Sequence, residues 1–187
     1  MHNYYDIYYF IDNFNIKELS NINTRINLIY RNYESSNYLD EVIKVKIFCK
    51  KKGFKFFLAN NIKMAIKLNL DGVYLPAFNK NLEYSNLMLK KNFKIIGSAH
   101  NISEIKIKEK QNCEAIFLSP LFRTNKHKFF LNVVRFNLAS NATNKKLICL
   151  GGINSTNIKR ASLTKSKGIA AISWIKKNGL NKNLGRF

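Results

Sequence analysis

Short apolar runs alternate with segments of helical period along the chain. Runs of strand length cover Tyr5–Ile11, Ile26–Tyr30, Lys55–Ala59, Gly72–Leu75, Lys94–Ser98, Ala115–Leu118, Lys146–Leu150 and Gly168–Ile172. Runs this short, closed by glycine or polar residues, predict buried strands. Between them the period lengthens. YLDEVIKVKIFCKKKG (38–53) places Leu39, Val42, Val45, Phe48 and Cys49 at helical spacing, and Gly53 supplies a C-terminal stop. NIKMAIKLN (61–69) predicts a shorter helix, and SEIKIKEKQN (103–112) an amphipathic one. The segment near Ile16–Ile22 predicts only a stunted first helix. NATNKK is a polar connection into the seventh strand.

Strand starts fall about twenty to thirty residues apart, with one tighter step. Such alternation implies a parallel sheet, because parallel strands need crossover connections. Eight units in one domain predict a closed (β/α)8 TIM barrel, trimmed in length and with a short first helix, spanning 1–187. An open flavodoxin-like sheet is the alternative. No proline-rich linker or charge block divides the chain, and its length suits one domain with a real core.

LICLGGINSTNIKRA (147–161) ends a strand in Gly151 and Gly152, in a chain with only 8 glycines. Asn154, Ser155 and Thr156 supply helix-cap chemistry, and Ile158, Ala161 and Leu163 an apolar side. Strand, paired glycines and capped helix suit a phosphate. Glycines let the anion approach backbone N–H groups, and a helix N-terminus adds favourable charge. A plain strand-to-helix turn would look similar. In a barrel, however, phosphate often binds after strands seven and eight, and this pair follows the seventh.

Charge and cysteine content limit the classes of function. Lys and Arg number 32 against 11 Asp and Glu, a net charge of +21. The lysines are spread along the chain, among abundant Asn, Ile, Phe and Tyr, the set that A/T-rich codons favour. The resulting field attracts polyanions in a salt-dependent way. No RNA-recognition signature, helix-turn-helix pattern or zinc finger is visible, so dedicated nucleic-acid binding is not expected. Cys49, Cys113 and Cys149 lack CxxC spacing and read as small buried hydrophobes in a reducing compartment. No apolar run reaches about 18 residues, so no membrane span is expected. MHNYYDIYYFIDNFN has neither a basic leader nor a small-residue cleavage site, and is expected to be a first strand rather than a signal peptide. These features together predict a cytoplasmic protein.

Five motifs then stand in order: DGVYLP (71–76) at strand four, IIGSAH (95–100) at strand five, SPLFRT (119–124) after strand six, GGIN (151–154) after strand seven, and AISWI (171–175) after strand eight. In order and spacing they resemble the thiamine-phosphate synthase (TenI) family, from about Tyr5 to Lys176. The resemblance implies a (β/α)8 barrel and a transferase of thiamine biosynthesis. The family's synthases join a hydroxymethylpyrimidine diphosphate to a thiazole phosphate with the help of magnesium, giving thiamine phosphate and pyrophosphate. That chemistry needs a neutralised diphosphate, so that a pyrimidine cation forms and the thiazole nitrogen captures it.

Carried over residue by residue, the resemblance implies that Gly151 and Gly152 hold the thiazole-side phosphate, with Ile172 and Ser173 closing that site. Thr124 falls on a threonine of the strand-six loop, and Ser98 and His100 on a serine-x-histidine segment after strand five. Arg31, in LIYRNYE (28–34), falls on an arginine that grips diphosphate. Lys126 and Lys128, in RTNKHK (123–128), are the candidates for a loop lysine. The departures concern the diphosphate side. Ile29 and Tyr33 stand where the family has glutamine and lysine. Asn60 and Asn79 stand where it has metal-binding aspartates. Asparagine offers magnesium a carbonyl oxygen without the negative charge that a hard cation favours. Asp12, at the end of the first strand, would compensate for a lost ligand. Pro120 stands where the tautomerase branch carries its catalytic histidine, which argues against tautomerase activity. The alternative to a synthase is a catalytically degenerate barrel that binds thiamine phosphate or thiazole phosphate. A thiazole tautomerase or a basic RNA-associated protein follows behind both.

Overall fold

In the computed structural model, residues 5–22, 25–33, 37–125 and 129–171 are described. The strands are β1 (Asp6–Ile11), β2 (Asn27–Tyr30), β3 (Lys55–Ala59), β4 (Gly72–Leu75), β5 (Lys94–Ala99), β6 (Ala115–Leu118), β7 (Lys146–Leu150) and β8 (Gly168–Ala171). Each pairs in parallel with the next, and β8 pairs with β1, so the sheet is a closed barrel. Closure excludes the open flavodoxin-like alternative. Strand ends differ from expectation by a single residue at β1, β2 and β5. Ile172, the expected end of β8, lies outside the described residues.

The described helices are α1 (Ile16–Ser20), α2 (Tyr38–Lys52), α3 (Ile62–Lys67), α4 (Ile102–Lys110), α5 (Asn132–Ser140) and α6 (Ile158–Ala161). The first is a stub, as the sequence predicts. Gly53 ends α2 with φ of 69°, a left-handed conformation that glycine adopts without steric cost. Val42, Val45, Phe48 and Cys49 of α2 are buried, whereas Leu39, expected on the same face, is exposed in the first turn. The connection from β4 to β5 holds only a 3-10 turn, Glu83–Asn86, in place of a helix.

The period of two along each strand divides the apolar residues between two cores. Tyr8, Phe10, Ile29, Phe57, Tyr74 and Phe117 point into the barrel, together with Ala59, Ala115 and Ala170. Their rings meet edge to face, with centroids 4.8 Å apart for Tyr8–Phe117 and 5.1 Å for Phe10–Tyr74. The neighbouring Ile7, Tyr9, Leu28, Leu58, Val73 and Leu118 point outward beneath the helices. A packed interior leaves the C-terminal mouth as the place for a ligand. The three cysteines are buried and free, and burial pushes the Cys49 and Cys113 thiols up to about 12. Among the described residues no helix is long and apolar enough to cross a membrane.

Candidate functional site

A cavity of about 1150 Å³ opens at the C-terminal ends of the strands. Arg31 enters it from β2, Ser98 and His100 from β5, Thr124 from the β6 loop, and Gly151 and Gly152 from the end of β7. These six positions, spread from Arg31 to Gly152 in the sequence, are thus brought to one space. Asp12 and Pro120 line it as well. Asn60 and Asn79 do not. Lys126, Lys128, Ile172 and Ser173 lie outside the described residues.

The β6–β7 side is built from backbone. Gly151 and Gly152 have φ of 93° and 70°. A Cβ on Gly151 would lie 2.9 Å from the Cα of Pro120, and one on Gly152 would lie 2.6 Å from the carbonyl oxygen of Phe122. Both positions therefore require glycine for space as well as for conformation. The loops are tied together: Leu121 N donates to Leu150 O at 2.8 Å, and Phe122 N to Gly151 O at 3.1 Å. Asn157 Nδ2 donates to Gly152 O at 2.8 Å. The expected cap needs correction. Asn154, Ser155 and Thr156 form a turn, with Thr156 N donating to Asn154 Oδ1, and the N-cap of α6 is Asn157. The helix is only four residues long, so its dipole adds little. What this side offers is a close backbone.

At β4 and β5 the wall is polar and buried. Tyr74 donates its hydroxyl to Ser98 Oγ at 2.9 Å. Desolvation pushes the Tyr74 phenol up to about 12, so it stays a neutral donor and leaves the Ser98 hydroxyl proton for another acceptor. His100 is exposed, and its Nδ1 lies 3.0 Å from Glu104 Oε2, which also accepts from His100 N at 2.8 Å. Glu104 thereby fixes the ring at the cavity edge.

Arg31 stands on the β2 side with its guanidinium carbon 5.4 Å from the centroid of the Phe10 ring. The ring face positions the cation without neutralising it. Among the described residues no carboxylate forms an ion pair with it. Tyr33 and Phe78, both exposed, meet at 6.4 Å on the rim. Lys80 adds a second cation to the lining.

Behind the loop that follows β4 lies a buried lysine. Lys108 of α4 is fully buried, and its Nζ donates to Pro76 O, Asn79 O and Gln111 Oε1, each at 2.8 Å. Three acceptors satisfy all three protons of the ammonium. Burial lowers its pKa from 10.5 to about 8. Gln111 Nε2 donates to Asn81 O at 2.8 Å and Asn79 O at 3.1 Å, with Asn79 Oδ1 farther away at 3.3 Å. Asn79 Oδ1 also accepts from Asn81 N at 2.9 Å, and Asn79 Nδ2 donates to Asn60 Oδ1 at 2.7 Å. The asparagines expected as magnesium ligands are thus bonded to each other. Asn79 Oδ1 already has two donors, and a carbonyl oxygen so engaged is a poor ligand for a hard cation. Among the described residues no group of three or more His, Cys, Asp or Glu side chains is placed to hold a metal. This donor set does not fit magnesium.

Tyr74, Lys80 and Lys108 were not among the residues expected from sequence. The alternation in DGVYL places Tyr74 on the inner face, which is a usable signal. Lys108 has none of its own: an amphipathic helix ordinarily turns lysine to water. Its partner signal is Gly97 on β5, where a Cβ would lie 2.8 Å from Lys108 Cδ.

A family model described as thiamine monophosphate synthase matches residues 20–175. A thiamine-phosphate synthase of Prochlorococcus marinus subsp. pastoris is 29% identical over 156 residues, 80% of this chain and 43% of its own. Another, from Helicobacter pylori, is 31% identical over 133 residues, 68% of this chain and 60% of its own. The chain spans less than two thirds of the length of either curated relative. Among solved structures, a thiamine phosphate pyrophosphorylase from Pyrococcus furiosus has the same fold, with a TM-score of 0.75 at 18% identity, over 94% of this chain and 89% of that one.

Proposed function

Since the chain belongs to the thiamine monophosphate synthase family, we propose that it joins a hydroxymethylpyrimidine diphosphate to a thiazole phosphate. The products are thiamine phosphate and pyrophosphate. The observation that carries this reading is the convergence of Arg31, Ser98, His100, Thr124, Gly151 and Gly152 on one cavity. Those residues come from four strands, and the family resemblance gives them roles toward both phosphorylated substrates.

In this reading the glycine pair and Thr124 receive the thiazole phosphate. The carbonyls of Gly151 and Gly152 already accept bonds from Phe122 and Asn157, so amide N–H is what the pair offers an anion. Ile172, Ser173, Lys126 and Lys128 keep the phosphate and loop-lysine roles that the family resemblance gives them. Arg31 faces the diphosphate as a cation that no carboxylate among the described residues pairs. The C–O bond to the diphosphate breaks, and its electron pair leaves with the pyrophosphate. The thiazole nitrogen then gives its lone pair to the pyrimidine methylene carbon, forming the C–N bond. Charge developing on the leaving group is the term that the site must stabilise. Because Asn60 and Asn79 do not suit magnesium, that task is assigned to Arg31 and Lys80, with Lys126 and Lys128 of the adjoining loop. Three buried free cysteines support a cytoplasmic setting.

The absence of carboxylates at positions 60 and 79 favours a second reading, a barrel that binds thiazole phosphate without turnover. Incubation with both precursors, followed by mass spectrometry, separates the two. Thiamine phosphate above the protein-free background supports the synthase. Bound thiazole phosphate with no product, from folded protein, supports the binding barrel.

A further inference from the structure

Two large aromatic side chains stand exposed on the rim of the cavity. Tyr33 lies three residues beyond the end of β2 and Phe78 three beyond the end of β4, with relative exposures of 52% and 68%. Strand β3 lies between those two strands, so the pair, with centroids 6.4 Å apart and planes at 70°, spans the end of β3. Both rings line the cavity, whereas Asn60, which follows β3, does not. An edge-to-face pair leaves ring faces open, and open aromatic faces at a cavity mouth bind flat rings by stacking. The loop that carries Phe78 is fixed, because its Pro76 and Asn79 carbonyls each accept from Lys108 Nζ at 2.8 Å. A ring presented by a fixed backbone loses little entropy when a ligand arrives.

The same two loops deliver the cations. Arg31 comes two residues before Tyr33 and Lys80 two after Phe78, and both line the cavity. Partial desolvation raises the Tyr33 pKa and the Arg31 charge opposes the rise, so the guanidinium stands close to that phenol. Each loop thus brings one ring and one cation to the rim. That combination suits a flat heteroaromatic ring on an anionic tail. The glycine side is already assigned to the thiazole phosphate, which leaves the pyrimidine diphosphate for this one.

We propose that Tyr33 and Phe78 form a stacking platform for the pyrimidine ring, with Arg31 and Lys80 on its diphosphate, and that the pair sets the preference for a ring-bearing diphosphate over a bare one. The identity of the ring rests on the synthase reading; the platform does not.

Two diphosphate esters of equal charge are the probes, hydroxymethylpyrimidine diphosphate and methyl diphosphate. Each is titrated by calorimetry into the full chain at about 150 mM and about 500 mM salt. Wild type should bind the pyrimidine ester roughly tenfold or more tightly, and that ratio should hold at the higher salt while both affinities fall. A Tyr33→Ser, Phe78→Ser double variant should bring the ratio near one by losing pyrimidine ester affinity alone. Both side chains are exposed, so its circular dichroism and melting temperature should match wild type. A Tyr33→Phe, Phe78→Tyr variant should keep the ratio, because ring faces do the binding. Equal affinities in wild type overturn the proposal, as does an unchanged ratio in the double serine variant or an equal fall in methyl diphosphate affinity. Ring preference without any thiamine phosphate from the two precursors would refute the synthase and leave the platform standing. Thiamine phosphate formation without ring preference would do the reverse.

Discussion

The two sides of the mouth are built by opposite means. On the β6–β7 side, two glycines with positive φ are pressed against the backbone of residues 120–123, and main chain makes the surface. On the β2–β5 side, side chains make it: a guanidinium over a ring, and a tyrosine hydroxyl bonded to a buried serine. A backbone cradle tolerates almost no substitution, because any Cβ collides. A side-chain surface can be rewired if charge and donor direction are kept.

The largest effect is expected at Gly152→Ala. Its Cβ would lie 2.6 Å from Phe122 O at φ of 70°, so the loop must shift. Thiazole phosphate affinity, measured by calorimetry, should fall at least about a hundredfold, with roughly 2 kcal/mol of stability lost. Arg31→Ala follows. Removing one preorganised cation should lower turnover roughly a hundredfold to a thousandfold. Arg31 is exposed, so the melting temperature should stay nearly constant. Full activity in that variant would remove Arg31 from the site.

Gly97→Ala reaches the side-chain half from behind. The new methyl would meet Lys108 Cδ at 2.8 Å and Cys113 Sγ at 3.0 Å. Urea unfolding should show a loss of about 1–3 kcal/mol. An unchanged midpoint would mean that the lysine stem moves freely.

The last effect is a pH dependence. Folded Lys108 releases its proton near pH 8, whereas the unfolded chain does so near 10.5. Below about 8 both states hold it and the burial cost is fully present. Between those values the unfolded chain binds more protons, so this group makes stability rise with pH. The rise should be on the order of 3 kcal/mol across the window, and Lys108→Met should flatten it in urea midpoints measured there.

The barrel was legible because each strand carries its signal locally. DIYYFI, KFFLA and GVYL are short, apolar and closed by turn residues, and their helices repeat at the crossover distance. Gly151 and Gly152 were legible for the same reason, since the end of a strand is visible in sequence. The diphosphate side was not. Asn79 of the β4 loop bonds Asn60 at the end of β3, its carbonyl accepts from Lys108 on α4, and the lysine stem packs where Gly97 on β5 lacks a side chain. Each step joins residues on different elements, and no local period encodes it. The cap at α6 failed differently: Asn154 and Thr156 prefer to bond each other in a turn, which shortens the helix to Ile158–Ala161.

One crossed titration addresses the division most directly. Thiazole phosphate and inorganic pyrophosphate are each titrated into wild type, Gly152→Ala and Arg31→Ala by calorimetry in EDTA. Gly152→Ala should lose thiazole phosphate and keep pyrophosphate, and Arg31→Ala should show the reverse. If either folded variant loses both ligands, or if neither variant loses one selectively, the two sides do not work as separate half-sites.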